Sequence, residues 1–259
     1  MNGAVLSAKE LSVGYGAKTV VSDVNVDAIA GQLIVLIGAN GSGKSTLLRT
    51  IAGAQPPIKG KLELSGQTAS TLSAAKRARL LSIVLTDRNG AGGLRVDELV
   101  AIGRYAYSGI LGRMSSDDKR VVKWAIEAVG LADKTSRYVG ELSDGERQKA
   151  MIARAIAQDT PLIILDEPTS FLDVSSRIEI INLLANLTHN SGKTILLSTH
   201  DTAAALPRAD YVWVINDGRL DSGRIDDLAK AGLLNNVFSG VTFDTTVCDF
   251  RENHLKSKI

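Results

Sequence analysis

Three short stretches carry residue types whose spacing could act on a phosphate. The first, GANGSGKST at residues 38–46, fits G-x-x-x-x-G-K-[ST] and lies between an apolar run and a helical pattern. Glycines let the backbone curl around phosphate oxygens, so that successive N–H groups and a helix N-terminus meet the negative charge. Lys44 is then placed to reach β- and γ-phosphates, and the Ser45 hydroxyl to bind Mg2+. A glycine-rich turn with no ligand is the bland alternative, and the flanking strand and helix weigh against it.

The second stretch, LIILDEP at residues 162–168, puts Asp166 at the C-terminal end of an apolar strand, where open α/β sheets bind ligands. Asp166 could hold Mg2+ through water, and Glu167 could polarise an attacking water. Pro168 biases Glu167 towards extended backbone. The third, LSDGERQKAMIARAIA at residues 142–157, opens on Ser143 and Glu146, an S-x-x-E capping box. An N-cap worth about 1 kcal/mol would explain it. The same helix N-terminus, with a Ser hydroxyl and Gly145, is also a second anion site, far from the first loop and suited to a phosphate held by another subunit.

The elements that must position these residues follow from periodicity. Residues 5–26 alternate apolar and polar and suggest short antiparallel strands. Residues 33–37 read as a buried strand and residues 44–52 as a helix closed by Gly53. Residues 59–66 read as an edge strand. Residues 117–129 place Val121, Trp124, Ala125, Ala128 and Val129 on one helical face, with Gly130 suited to the C-cap. From residue 162 the order is strand, helix, strand, short helix, strand, which argues for a parallel sheet covered on both faces. Asp217-Gly218 marks a hairpin. Residues beyond 241 show no clear periodicity.

The bulk numbers bound the rest. The 259 residues suffice for one large domain, or one domain with a subdomain. A net charge of +2 makes no electrostatic case for nucleic acid, and the cluster Lys76, Arg77, Arg79 reads as a solvated helix face. One cysteine, Cys248, excludes an internal disulfide. No apolar run approaches the about 20 residues a bilayer span needs, and the N-terminus lacks a signal-peptide core. These features predict a cytosolic chain whose membrane role, if any, comes through a partner.

Together the motifs resemble those of ABC-type ATPase subunits, in the right order from about residue 5 to residue 223. GANGSGKST resembles the Walker A loop, LSDGE the signature, LIILDE Walker B, SFLD at residues 170–173 the D-loop, and STHD the switch-histidine segment with His200. Tyr15 matches the aromatic that stacks on adenine. The resemblance implies an α/β fold: a P-loop NTPase core with a mainly parallel sheet, an N-terminal antiparallel β subdomain and a helical subdomain. It implies one ATPase domain over residues 1–259, with the helical subdomain at about 87–160 and a C-terminal extension at about 224–259.

The resemblance also implies a head-to-tail dimer holding two ATP molecules with Mg2+. Each ATP would meet Tyr15, Gly38, Ala39, Asn40, Gly41, Ser42, Gly43, Lys44, Ser45 and Thr46 of one chain. Ser143, Asp144, Gly145 and Glu146 of the other chain would complete the site. Glu167, His200 and Lys44 would carry catalysis, Ser45 and Asp166 the metal, and Asp173 the coupling between sites. His189 and His254 have no such support.

LRVDELVAIGRYAY, at residues 94–107, is similar to a stretch of importers for iron-siderophores, haem and vitamin B12 that faces the permease. The implied setting is the cytoplasmic face of the membrane, peripheral, with permease subunits and indirectly a substrate-binding protein as partners and no nucleic acid. Another ABC importer or exporter, or a soluble ABC protein of translation or DNA repair, is the alternative; a single cassette without a heptad run argues against the last.

The sequence departs from the family at two places. Where members usually read Val-Pro-Gln, this chain has Val84, Leu85 and Thr86. Thr86 could supply a shorter oxygen, Asp87 could reach the metal, or hydrolysis could be weakened. Asp144 stands where glycine is commoner, and adds negative charge near the partner's phosphate unless its side chain points away.

Overall fold

A computed structural model describes residues 3–85, 92–107 and 114–234. The chain runs through β1 (Ala4–Tyr15), β2 (Lys18–Ile29), β3 (Leu33–Gly38), α1 (Lys44–Ala52), β4 (Lys59–Leu64), β5 (Gln67–Thr68), α2 (Ala74–Ala78) and β6 (Leu81–Val84). It continues through α3 (Val96–Ala101), α4 (Ser116–Ala128), α5 (Asp144–Ala157), β7 (Leu162–Asp166), α6 (Val174–Ser191), β8 (Thr194–Ser198), α7 (Thr202–Ala205), β9 (Tyr211–Asn216), β10 (Arg219–Gly223) and α8 (Ile225–Lys230).

The N-terminal strands are longer than the alternation predicts, 12 residues each. Leu6 and Ala8 point inward, but beyond Glu10 the inward residues are Leu11 and Val13. Glu10 takes φ 48° and Asp23, on β2, φ 52°, so each strand carries a bulge that resets its phase. The bulged N–H groups are satisfied: Glu10 N donates to Asn25 Oδ1 at 2.9 Å and Asp23 N to Ser12 Oγ at 3.2 Å. A broken alternation therefore looks like short strands although the ladder continues. β4 is not an edge strand, because it pairs with β1 on one side and with the two-residue β5 on the other.

The second sheet has the order β10-β9-β3-β8-β7-β6, parallel throughout except for β10. β3, β7 and β8 are buried at every position, as a sheet covered on both faces requires. Leu33, Val35 and Ile37 face a core shared with α3, α4, α5 and α6. Ile34 and Leu36 face the opposite core, shared with α1 and the antiparallel sheet. The β9–β10 turn at Asp217 and Gly218 has both residues at positive φ, 47° and 75°, the hairpin predicted from the dipeptide.

Two surface expectations need correction. Trp124 is 41% exposed rather than core; the buried face of α4 is Val122, Ala125 and Ile126, one step round the helix. The basic cluster is not simply solvated. Arg77 donates to Ala69 O at 2.8 Å, and Arg79 donates to Ala106 O at 3.0 Å while its guanidinium lies over the Tyr107 ring. Of the C-terminal extension, Leu228 and Leu234 are buried in the main core. Cys248 and His254 lie outside the described residues.

Candidate functional site

The phosphate loop leaves β3 at Gly38 and enters α1 at Lys44. Gly43 caps α1 from the left-handed region, φ 105°, with no side-chain cap, so no side chain competes for the first-turn N–H groups of the helix. A side chain at Gly43 would collide with Val20 and Val21 of β2, at 2.7 and 2.6 Å. Lys44 is 5% exposed and turns back on the loop, donating to Gly38 O at 2.9 Å and Ala39 O at 3.1 Å. Burial pushes its ammonium below the ordinary lysine range, against the opposing pull of Glu167 and Asp166. Ser42 Oγ is shielded from solvent and has no hydrogen-bond partner, as a hydroxyl in a phosphate cradle would be without its ligand. Ala39, Asn40 and Gly41 are exposed at the loop's rim. Tyr15, 54% exposed, accepts a hydrogen bond at its phenol oxygen from Thr46 Oγ1 at 3.2 Å, which puts the ring beside the loop.

Sheet register brings the second group to the first. β8 lies between β3 and β7, and Ser198 is opposite both Leu36 and Asp166. Asp166 Oδ1 accepts from Ser45 Oγ at 3.2 Å and from Ser198 Oγ at 2.7 Å. Ser198 carries little signal in the sequence, only that of a serine closing an apolar strand two residues before His200. A carboxylate beside a hydroxyl at the mouth of a phosphate loop fits Mg2+, whose sites use one or two carboxylates with substrate phosphates. Among the described residues no group of three or more His, Cys, Asp or Glu could hold a metal, and a site of this kind does not need one.

Glu167 differs from expectation. Pro168 predicts extended backbone, yet Glu167 takes φ 50°, in the left-handed region. Ser198 holds it there, because Glu167 N donates to Ser198 O at 3.1 Å and Ser198 Oγ at 3.0 Å. Such a conformation costs about 1–3 kcal/mol and persists where the surroundings over-determine it. It directs the carboxylate to His200, with Oε1 2.5 Å from Nε2, and Ser170 Oγ donates to Oε2 at 3.1 Å. His189, by contrast, pairs with Asp210 at 3.2 Å, whose carboxylate also accepts from Leu33 N.

The third group is built from local contacts. Ser143 caps α5 and forms the predicted capping box with Glu146: Glu146 N donates to Ser143 Oγ at 3.3 Å, and Ser143 N to Glu146 Oε2 at 3.0 Å. Lys134 Nζ also contacts Glu146 closely. That ammonium, followed by the bonds from Ser143, holds the Glu146 carboxyl down at about 2. Asp144 turns to Arg147, which donates to its Oδ1 at 3.0 Å and also to Leu142 O at 3.1 Å. The extra negative charge at 144 is thus matched by a guanidinium. Asp173 caps α6, accepting from Ser176 N at 2.9 Å, and these bonds lower its carboxyl below the usual range. Phe171, two residues before Asp173, is 70% exposed at φ 67°. Thr86 and Asp87 lie outside the described residues.

The structure therefore gathers Lys44, Ser45, Asp166, Glu167 and His200 at the C-terminal ends of β3, β7 and β8. Ser143, Asp144, Gly145 and Glu146 stand at the head of α5, none bonded to that cluster by the contacts above. Among the described residues no helix is long and apolar enough to cross a membrane.

The chain is similar to known proteins over most of its length. Residues 21–170 match the family described as ABC transporter. The chain is 36% identical over 234 residues to the iron(3+)-hydroxamate import ATP-binding protein FhuC of Bacillus subtilis, covering 90% of this chain and 87% of that protein. It is 33% identical over 236 residues to the ferric enterobactin transport ATP-binding protein FepC of Escherichia coli, covering 91% and 87%. A solved metal-chelate type ABC transporter in an inward-facing conformation superposes with a TM-score of 0.79 at 28% identity, covering 91% of this chain and 89% of that one. A dimeric ATP-binding cassette in a post-hydrolysis state with ADP and Pi superposes with a TM-score of 0.72 at 25% identity, covering 85% and 98%. With the P-loop fold, the motif order and these relatives in agreement, the chain belongs to the ABC transporter family, as one of its ATPase subunits.

Proposed function

We propose that this ATPase powers import of an iron-siderophore or a similar metal chelate through separate permease subunits, docked peripherally on the cytoplasmic face of the membrane and supplied by a substrate-binding protein. The relatives named for siderophore transport support the cargo class, and the stretch at residues 94–107 supports the importer subfamily. In this reading two copies pack head to tail. Each ATP is held by the loop at residues 38–46 of one chain, with Tyr15 on the adenine, and by Ser143 and Gly145 at the head of α5 of the other.

The observation that carries the hydrolytic reading is the Glu167–His200 contact beside Lys44 and Asp166. Lys44 exchanges its bonds to Gly38 O and Ala39 O for the β- and γ-phosphates. Ser45 and Asp166 would hold Mg2+, which neutralises charge on the phosphates when bound. Glu167 orients the attacking water and takes its proton while the bond from the γ-phosphorus to the bridging oxygen breaks. His200 leaves Glu167 for the γ-phosphate and steadies that water. The nearness of Asp173 to Glu167 in the chain supports its coupling role.

The test is Glu167→Gln. General-base loss costs about 10²–10⁴-fold, so phosphate release should fall by that range while ATP binding persists and the chain accumulates as a dimer on size-exclusion chromatography. A variant that hydrolyses at the parent rate, or stays monomeric with ATP, sinks the reading. For the cargo, ATPase stimulation in liposomes with permease and binding protein should respond to ferric chelates; stimulation only by an unrelated solute class would overturn the importer assignment.

A further inference from the structure

Gly145 and Ser176 meet within one chain. Gly145 lies in the first turn of α5, and its φ is not in the left-handed region, so its backbone does not require glycine. Alanine is the better helix former at such a position. What glycine provides is space: a Cβ at 145 would stand 3.1 Å from Ser176 Oγ and 3.4 Å from Ser176 Cβ. The Ser176 hydroxyl is held on that side, because it donates to Asp173 Oδ2 at 2.7 Å while Ser176 N donates to Asp173 Oδ1 at 2.9 Å, and moving aside for a Cβ would cost it that bond. Asp173 closes the turn that begins at Glu167, whose carboxylate accepts from Ser170. Farther along the same helix pair, Lys149 Nζ donates to Glu179 Oε1 at 2.6 Å, a second link between α5 and α6.

We propose that Ser176 is a positioning residue: held by Asp173, it sets where the first turn of α5 lies against α6. It thereby ties the segment that serves a partner's ATP to the turn that carries the chain's own Glu167. The inference rests on the two-chain reading of the ATP site above. It gives Gly145 a reason distinct from close approach of the partner's phosphate, namely contact with Ser176 of its own chain.

The two reasons separate in a double-mutant cycle on the full chain, since residues in contact show non-additive effects. In the Glu167→Gln background, the MgATP concentration for half-dimerisation is measured by light scattering for the parent, Gly145→Ala, Ser176→Ala and the double variant. Gly145→Ala should raise it by about tenfold or more, Ser176→Ala by a smaller but measurable factor of about threefold, and the double variant should return close to Ser176→Ala. Melting temperatures without nucleotide should follow the same pattern, showing that the clash lies within the chain. A double variant carrying both defects in full, or a Gly145→Ala or Ser176→Ala variant that dimerises like the parent, overturns the inference and leaves the two-chain site standing. A parent that never dimerises with MgATP removes the two-chain site, and the inference with it.

Discussion

The cluster around the phosphate loop and the head of α5 are built on opposite principles. Around the loop, two chemistry-bearing groups are held where a ligand must displace them, Lys44 on two loop carbonyls and Glu167 on His200, beside a buried hydroxyl at Ser42 with no partner and a non-glycine residue at φ 50°. At the head of α5 the charges are closed off by partners that can stay: Ser143 with Glu146, Glu146 with Lys134, Asp144 with Arg147. The first region stores strain and unmet polar capacity for a reaction, whereas the second contributes stability and presents a finished surface.

The sharpest way to break this comparison is Glu167→Gly. It should lower phosphate release by about 10²–10⁴-fold, like Glu167→Gln, and yet raise stability, because glycine takes positive φ without the about 1–3 kcal/mol penalty. Glycine's greater freedom in the unfolded chain offsets part of that by about 0.4–1 kcal/mol, so a modest rise in melting temperature is expected by calorimetry. A fall would mean that the carboxylate contacts outweigh the backbone strain.

Ser143→Ala should move stability the other way. Losing an N-cap costs about 0.5–2 kcal/mol, read as a lower denaturation midpoint with an unchanged slope. If Ser143→Ala left the midpoint in place, the head of α5 would not be a stabilising region.

The smallest effect is in the pH dependence. Glu146 is held at about 2, below its ordinary 4.5, so its contribution is present above about 4.5 and is lost as pH falls towards about 2. Lys134→Ala removes the largest cause and should flatten the fall in stability over that window while lowering stability at neutral pH. Asp118, also held at about 2 by bonds from Ser115 and then Arg104, keeps part of the acid limb in the variant. Denaturant midpoints at neutral pH and near pH 3 measure this. An unchanged difference between them would assign the acid limb to the other carboxyls held low, Asp118 and Asp173, and not to Glu146.

What could be read directly was local. The glycine spacing of the loop, the Ser143–Glu146 box, the apolar strand before Asp166 and the Asp217–Gly218 hairpin each lie within a few residues, where φ/ψ preference and capping operate. The misread features have contacts from elsewhere in the chain. The alternation of β1 and β2 breaks at bulges that only the paired strand explains, and Trp124 fits a helical face that α3 and α5 do not cover. Glu167 departs from its proline-set preference because Ser198 captures its N–H.

The sequence by itself determined that the chain carries a phosphate loop, a carboxylate pair after a buried strand and a capped helix head, since all three are spacing rules. Only the tertiary structure decided which of these meet. Ser45 reaches Asp166 across 121 positions, and Glu167 reaches His200, because β8 lies between β3 and β7, ends level with β7 and stops two residues short of the end of β3. Gly145 meets Ser176 because α5 and α6 pack in one register. Strand order and helix register are set by burying two apolar faces of one sheet at once, and local propensity carries no information about which strands become neighbours.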